Sequence, residues 1–125
     1  MKITVRNGLP FVPVTIAYRD RQLQLDNVLL DTGSAGTVFS ADKVLSISLL
    51  YEADDAVQRI RGVGGTEFVF SKRVDSLSLG ELRLNDFSVE VGAMDYGFGL
   101  DGILGLDFLV TVGAIIDLSQ MEVDD

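Results

Sequence analysis

The chain has 125 residues, 47% of them apolar, and 19 acidic against 10 basic side chains give a net charge of −9. A length of this order fits one domain, residues 1–125, with a sizeable core, and the acidic balance argues against nucleic acid and against an anionic membrane surface as partners. Cysteine and histidine are both missing, which excludes disulfides, thiolate nucleophiles, a Ser-His-Asp triad and a His-ligated zinc within this chain.

The opening residues, Met1 to Arg6, lack the apolar stretch of a secretory signal. No run approaches the ~20 apolar residues of a membrane span. The expectation is a soluble, cytoplasmic protein.

Strand signals dominate from the start. Phe11 to Tyr18 is rich in Val, Ile, Thr and Tyr, Arg19-Asp20-Arg21 is turn-like, and Gln22 to Leu30 alternates before closing on Val28-Leu29-Leu30. These two segments predict a hairpin running into the core. Asp31 to Gly36 predicts a tight loop, and Thr37-Val38-Phe39 a short strand. Ser40 is placed to cap a short helix over Ala41 to Ile47, with Asp42 in its first turn.

Tyr51 to Ala56 is acidic and predicts a loop. Val57 to Arg61 and Thr66 to Phe70 predict strands joined by the glycine-tipped turn Gly62-Val63-Gly64-Gly65. Asp75 to Leu79, Glu81 to Leu84 and Phe87 to Val91 predict further strands, punctuated by Gly80 and by Asn85-Asp86. Ala93 to Gly102 is a glycine-rich loop. Ile103-Leu104 predicts a short buried strand, and Leu106 to Val112 a short helix stopped by Gly113. Ala114 to Leu118 predicts a last strand before an acidic, solvated tail. Many short strands with one or two brief helices predict an all-β fold, a closed or partly closed barrel.

Val28-Leu29-Leu30 followed by Asp31-Thr32-Gly33-Ser34 resembles the active-site signature of aspartic peptidases. Asp101-Gly102-Ile103-Leu104-Gly105-Leu106, about 70 residues later, resembles the second characteristic element of that fold. The Gly62 to Gly65 hairpin sits between them, where the family keeps its flap. In order and spacing the chain resembles a retropepsin-like peptidase, a single pepsin-like lobe, from roughly Thr15 to Leu118.

The resemblance implies that Asp31 is a catalytic carboxylate, that Thr32 bonds to the opposite loop across a dimer axis, and that Asp101 to Gly105 are structural. Only one Asp-Thr-Gly is present, so it implies a symmetric homodimer acting on a polypeptide, with no metal or cofactor. Val63 at the flap tip would contact substrate, Gly64 and Gly65 would let backbone N–H groups approach it, and Gly62 belongs to the same flap. Met1 to Val5 and Ile115 to Val123 are the candidates for a dimer sheet.

The residue chemistry agrees. Two facing carboxylates cannot easily both ionise, so the pair holds one proton and supplies both a general base and a general acid. Gly33 lets the loop turn sharply and bring backbone N–H to the carboxylate. Ser34, in a supporting role, is placed to donate to Asp31 and favour its charged form, which predicts an acidic pH optimum.

Structural alternatives stand beside these roles. Asp31 also suits an Asx turn, Asp101 an Asp-Gly turn, and Asp107 the first turn of a helix. The glycine hairpin lacks the Gly-Lys-Ser/Thr of a phosphate loop, and the acidic tail lacks EF-hand spacing. The preferred reading is an aspartic endopeptidase working as a homodimer; the alternative is a catalytically silent, dimeric peptide-binding scaffold of the same fold.

Overall fold

The computed structural model describes residues 1–62, 65–94 and 99–124. Ten strands and two short α-helices are described: β1 Thr4–Arg6, β2 Leu9–Tyr18, β3 Arg21–Leu30, β4 Val38–Ser40, α1 Ala41–Val44, β5 Val57–Gly62, β6 Gly65–Leu79, β7 Leu82–Gly92, β8 Gly102–Leu104, α2 Leu106–Thr111, β9 Ile115–Asp117 and β10 Glu122–Asp124. The fold is all-β, as the sequence predicts. Eight strands form one sheet in the order β1-β2-β3-β8-β4-β7-β6-β5, and an added β2–β6 pairing curls it into a ring. β9 and β10 form a separate ribbon.

The β2–β3 hairpin turns on Arg19 and Asp20, both at positive φ (47° and 66°). Two left-handed residues in a two-residue loop match the right-handed twist of the flanking strands. Pro13 has no N–H to give the ladder, and the β2–β3 register shifts between Val12↔Val28 and Val14↔Leu25. That irregularity leaves Asn27 out of the β2 ladder and free to pair elsewhere.

Period-two alternation divides β3, β4 and β8 between two apolar clusters. Val28, Leu30, Phe39 and Leu104 enter the main core with Val12, Ile16, Val91 and Phe108. Their neighbours Leu29, Val38 and Ile103 face the other way, into a smaller cluster with Phe11, Val69, Met94 and Leu100. Burying a side chain such as Phe39 or Phe108 contributes about 1.5–3 kcal/mol, so the main core dominates stability. The smaller cluster covers the face that leads to the Asp31 loop.

Several expected boundaries moved. Thr66–Phe70 and Asp75–Leu79 are parts of one 15-residue strand, β6, running through Ser71-Lys72-Arg73-Val74. The polar residues there misled the pattern because Lys72 is buried with partners of its own, Glu52 and Asp55. Glu81–Leu84 and Phe87–Val91 are likewise one strand, β7. Asp86 takes a positive φ inside it without shifting the register against β6.

The helix expected over Ala41 to Ile47 is one α-turn followed by a 3₁₀ turn over Leu45–Ile47, and Ser40 makes no side-chain cap bond. The second helix closes as expected: Gly113 at φ 68° ends it, and the Ala114 N–H returns to the Leu109 carbonyl. The acidic tail is not a free solvated end. β10 pairs with β9, Val123 is buried, and Lys2 bridges Glu122. Among the described residues no helix is long and apolar enough to cross a membrane.

Candidate active site

β3 and β8 run parallel with Leu29 beside Ile103 and Leu30 beside Leu104. β3 delivers the chain to Asp31, whose N–H donates to the Leu104 carbonyl at 3.0 Å. The chain then folds back on itself: the Ser34 N–H donates to the Asp31 carbonyl at 3.2 Å, and the Gly33 N–H donates to Asp31 Oδ1 at 2.9 Å. A Cβ on Gly33 would stand 3.2 Å from that oxygen, so glycine gives the amide close access to the carboxylate. Among the described residues no other group donates to the Asp31 carboxylate. Asp31 is half-buried and Thr32 exposed.

The second element locks onto this loop. The Leu106 N–H donates to the Ser34 carbonyl at 2.7 Å. Gly105 passes directly beneath: a Cβ there would lie 2.2 Å from the Gly36 carbonyl oxygen and 2.9 Å from that of Ser34. Gly102 is similarly pinched, with an added Cβ 2.5 Å from the Phe39 ring. These two glycines let β8 and the start of α2 press against the Asp31 loop, and Ile103 and Leu104 feed the two apolar clusters.

Asp101 is buried and fully engaged with the framework. Its Oδ2 accepts from the Asn27 N–H at 3.0 Å, and its backbone pairs with Asn27 and Ser40. Its Oδ1 lies 3.7 Å from Lys43 Nζ. The bulge near Pro13 is what frees the Asn27 backbone for this pairing.

Ser34 departs from expectation. Its hydroxyl donates to the Gly36 carbonyl at 2.7 Å, not to Asp31. A hydroxyl has one proton to give, and the turn over residues 34–36 takes it, so Ser34 does not donate to the Asp31 carboxylate. Thr32 makes no side-chain hydrogen bond among the described residues. Of the residues expected to form a flap, Gly62 pairs with Gly65 at the end of the β5–β6 hairpin; Val63 and Gly64 lie outside the described residues.

Three residues support the loop in ways that the sequence did not signal. Buried Thr37 accepts the Gly105 N–H at 3.0 Å and donates to Asp107 Oδ1 at 2.8 Å. Asp107 Oδ1 also accepts from the Phe108 N–H. A lone threonine after a glycine and an aspartate at a helix start give no sequence signal of this link. Glu90, on β7, reaches the same loop: a Cβ on Gly36 would lie 3.1 Å from Glu90 Oε1. Burial, then the nearby Asp107 and Glu67 charges, push its carboxyl above the usual range against an opposing Gln58 hydrogen bond.

A cavity of about 550 Å³ lies elsewhere, bounded by Ser40, Asp42, Phe68, Phe70, Val91 and Leu100 among others. Asp31 and its loop do not line it. The chemistry of the Asp31 loop and the shape of this cavity therefore point to different places, and the carboxylate geometry carries the assignment.

The chain is similar to polyporopepsin of Irpex lacteus, with 37% identity over 95 residues. That alignment spans 71% of this chain and 26% of the relative, so the chain covers about a quarter of that protein's length. Residues 12–108 match the family described as aspartyl protease. The matched span contains the Asp31 loop, the β5–β6 hairpin, Asp101 to Gly105, α1 and the start of α2, and on this match the chain belongs to the retropepsin-like aspartyl protease family.

Proposed function

We propose that this chain is one half of an aspartic endopeptidase whose carboxylate dyad is Asp31 and the symmetry-related Asp31 of a second copy. The observation that carries the reading is the Asp31 loop itself: a carboxylate held by the Gly33 N–H at the end of a rigid β3–β8 pair, in a family member with a single Asp-Thr-Gly. A lone carboxylate has no acid to partner it. Two within contact share one proton because both cannot ionise at close range.

In the proposed cycle the ionised Asp31 takes a proton from water while the water oxygen attacks the scissile carbonyl carbon. The protonated Asp31 donates to the carbonyl oxygen, giving a gem-diol. Collapse of the gem-diol breaks the C–N bond as a proton passes to the amine, and the dyad regains its single shared proton. The apparent acidities belong to the pair and not to either copy. Polypeptide substrate would lie extended under the β5–β6 hairpin, with main-chain hydrogen bonds to it. Its apolar side chains would rest on half-buried Leu29, Ile103 and Leu9 of the smaller apolar cluster.

The test is cleavage of a mixed peptide library between pH 3 and 7, with Asp31→Asn in parallel. Cleavage that the substitution abolishes supports the peptidase. No cleavage under any condition, from a protein of dimeric mass, supports the silent scaffold instead.

A further inference from the structure

One row of side chains crosses the sheet on the face of the smaller apolar cluster. Leu29 of β3 lies beside Ile103 of β8, Ile103 beside Val38 of β4, and Val38 beside Glu90 of β7. Residues in register on adjacent strands share a face, and the first three belong to that cluster. Val89 and Val91, on either side of Glu90, enter the main core, so alternation sends Glu90 to the face of Leu29 and Ile103. The row starts just before Asp31 and ends on a carboxylate.

That carboxylate stands against the catalytic loop. Gly36 and Gly92 both lack the side chain that would crowd it: an added Cβ on Gly36 would lie 3.1 Å from Glu90 Oε1, and one on Gly92 3.1 Å from Glu67 Oε2. Gln58, Glu67 and Asp107 face Glu90 from β5, β6 and α2. Gln58 gives it a hydrogen bond, and the other two are acids. Among the described residues no basic side chain pairs with Glu90. An ionised carboxylate accepts several hydrogen bonds, so capacity is left over.

A carboxylate partly withdrawn from water, beside like charges, costs stability unless something neutralises it. A charge held at such a cost in a cleft is a candidate for binding. In a peptidase the neutralising group can arrive with the substrate.

We propose that Glu90 sets substrate preference by accepting the ammonium of a lysine or the guanidinium of an arginine in the bound peptide. The aliphatic stem of such a side chain packs along the apolar row while its charged end meets the carboxylate. This role rests on the peptidase reading for its extended substrate. Two copies place one Glu90 on each side of the cleaved bond, so the preference falls at two mirror-related positions.

The test is the ratio of kcat/KM for peptides that carry lysine or norleucine in turn at each position on both sides of the bond. Norleucine keeps the stem and drops the charge. The chain's net charge of −9 attracts any cation, but that attraction does not depend on position. At pH 7 lysine is expected to be favoured by about 10-fold or more, the range of a charged hydrogen bond, at one position on each side. Glu90→Gln should remove the preference there, whereas a merely structural role would slow both peptides alike. The wild-type ratio should fall as the pH drops, beginning above the 4.5 of an ordinary glutamate, because burial and the Asp107 and Glu67 charges raise the Glu90 carboxyl. Titration of the dyad affects both peptides equally and cancels from the ratio.

Cleavage without a lysine preference, or with one that Glu90→Gln leaves intact, overturns the role of Glu90 and leaves the peptidase standing. A ratio that stays constant from pH 7 to 4 overturns it too. If no peptide is cleaved, the peptidase reading fails and binding of the same peptides, labelled, decides the rest. Tighter binding of the lysine peptide that Glu90→Gln abolishes upholds the role of Glu90; equal binding, or none, overturns it.

Discussion

The Gly36 carbonyl oxygen occupies the space beside Gly105 so closely that an added Cβ would sit 2.2 Å away. The contact is backbone against backbone, so no side-chain rotation relieves it. Gly105→Ala must push β8 and α2 away from the Asp31 loop. The expected cost is above about 3 kcal/mol, the range of severe core strain, with loss of peptide cleavage. Urea unfolding measures it; a midpoint near the wild-type value would show that the two segments do not press together.

Thr37 holds the same junction by hydrogen bonding. Thr37→Val keeps the shape but leaves the buried Gly105 N–H without its acceptor. A buried donor stranded this way costs about 1–3 kcal/mol. Asp107→Asn retains an oxygen for Thr37 and should cost less. Equal losses from the two substitutions would place the energy elsewhere than in the Gly105–Thr37 bond.

Acid should loosen the segment between α1 and β5. Lys72 is buried and pairs with Glu52 and with Asp55, the latter at 2.8 Å. Its hydrogen bonds to Lys72 hold the Glu52 carboxyl below its ordinary 4.5, with Arg19 adding to the effect. The Lys72 bond likewise holds Asp55 below its ordinary 3.8, against burial. Burial pulls Lys72 down, yet the bonds to Asp55 and Glu52 leave it raised overall. Both acids are depressed in the folded state, so their contribution is complete above their ordinary values and is lost as pH falls through the folded ones. Lys72→Met should lower the melting temperature at pH 7, and the gap to wild type should narrow below pH ~4. An offset that stays constant from pH 3 to 7 would rule this out.

Glu90 has the opposite sign. Its carboxyl is raised by burial and by Asp107 and Glu67, so its ionised form costs stability above the folded value and costs nothing below the ordinary 4.5. Glu90→Gln keeps an acceptor and donor for Gln58 and removes the charge. The melting temperature should rise at pH 7, and the gain should disappear near pH 4. A destabilised variant at pH 7 would mean that the charge is compensated.

The strands were legible where β-branched and aromatic residues cluster, as in Phe11 to Tyr18, and where apolar and polar residues alternate, as in Gln22 to Asp26. They were cut short where a buried charge broke the pattern: Lys72 reads as a surface residue until Glu52 and Asp55 are brought to it. Asp31, Gly33 and the Gly102–Gly105 stretch were legible because each is a local chemical requirement, a carboxylate or a missing Cβ, written in consecutive residues. Thr37, Asp107 and Glu90 were not, because their roles depend on partners up to 70 positions distant. Ser34 was misread for a different reason: its one proton had two local acceptors in reach along the chain, and the Gly36 carbonyl took it.

Local chemistry alone determined the all-β class, the acidic loop after a buried strand and the lack of histidine or thiol chemistry, because periodicity and composition act residue by residue. Tertiary structure decided which strands are continuous, where the chain ends pair, and what anchors the loop around Asp31. Those outcomes depend on competition among distant groups for the same few donors, acceptors and buried volumes, and a linear sequence does not rank such competitors.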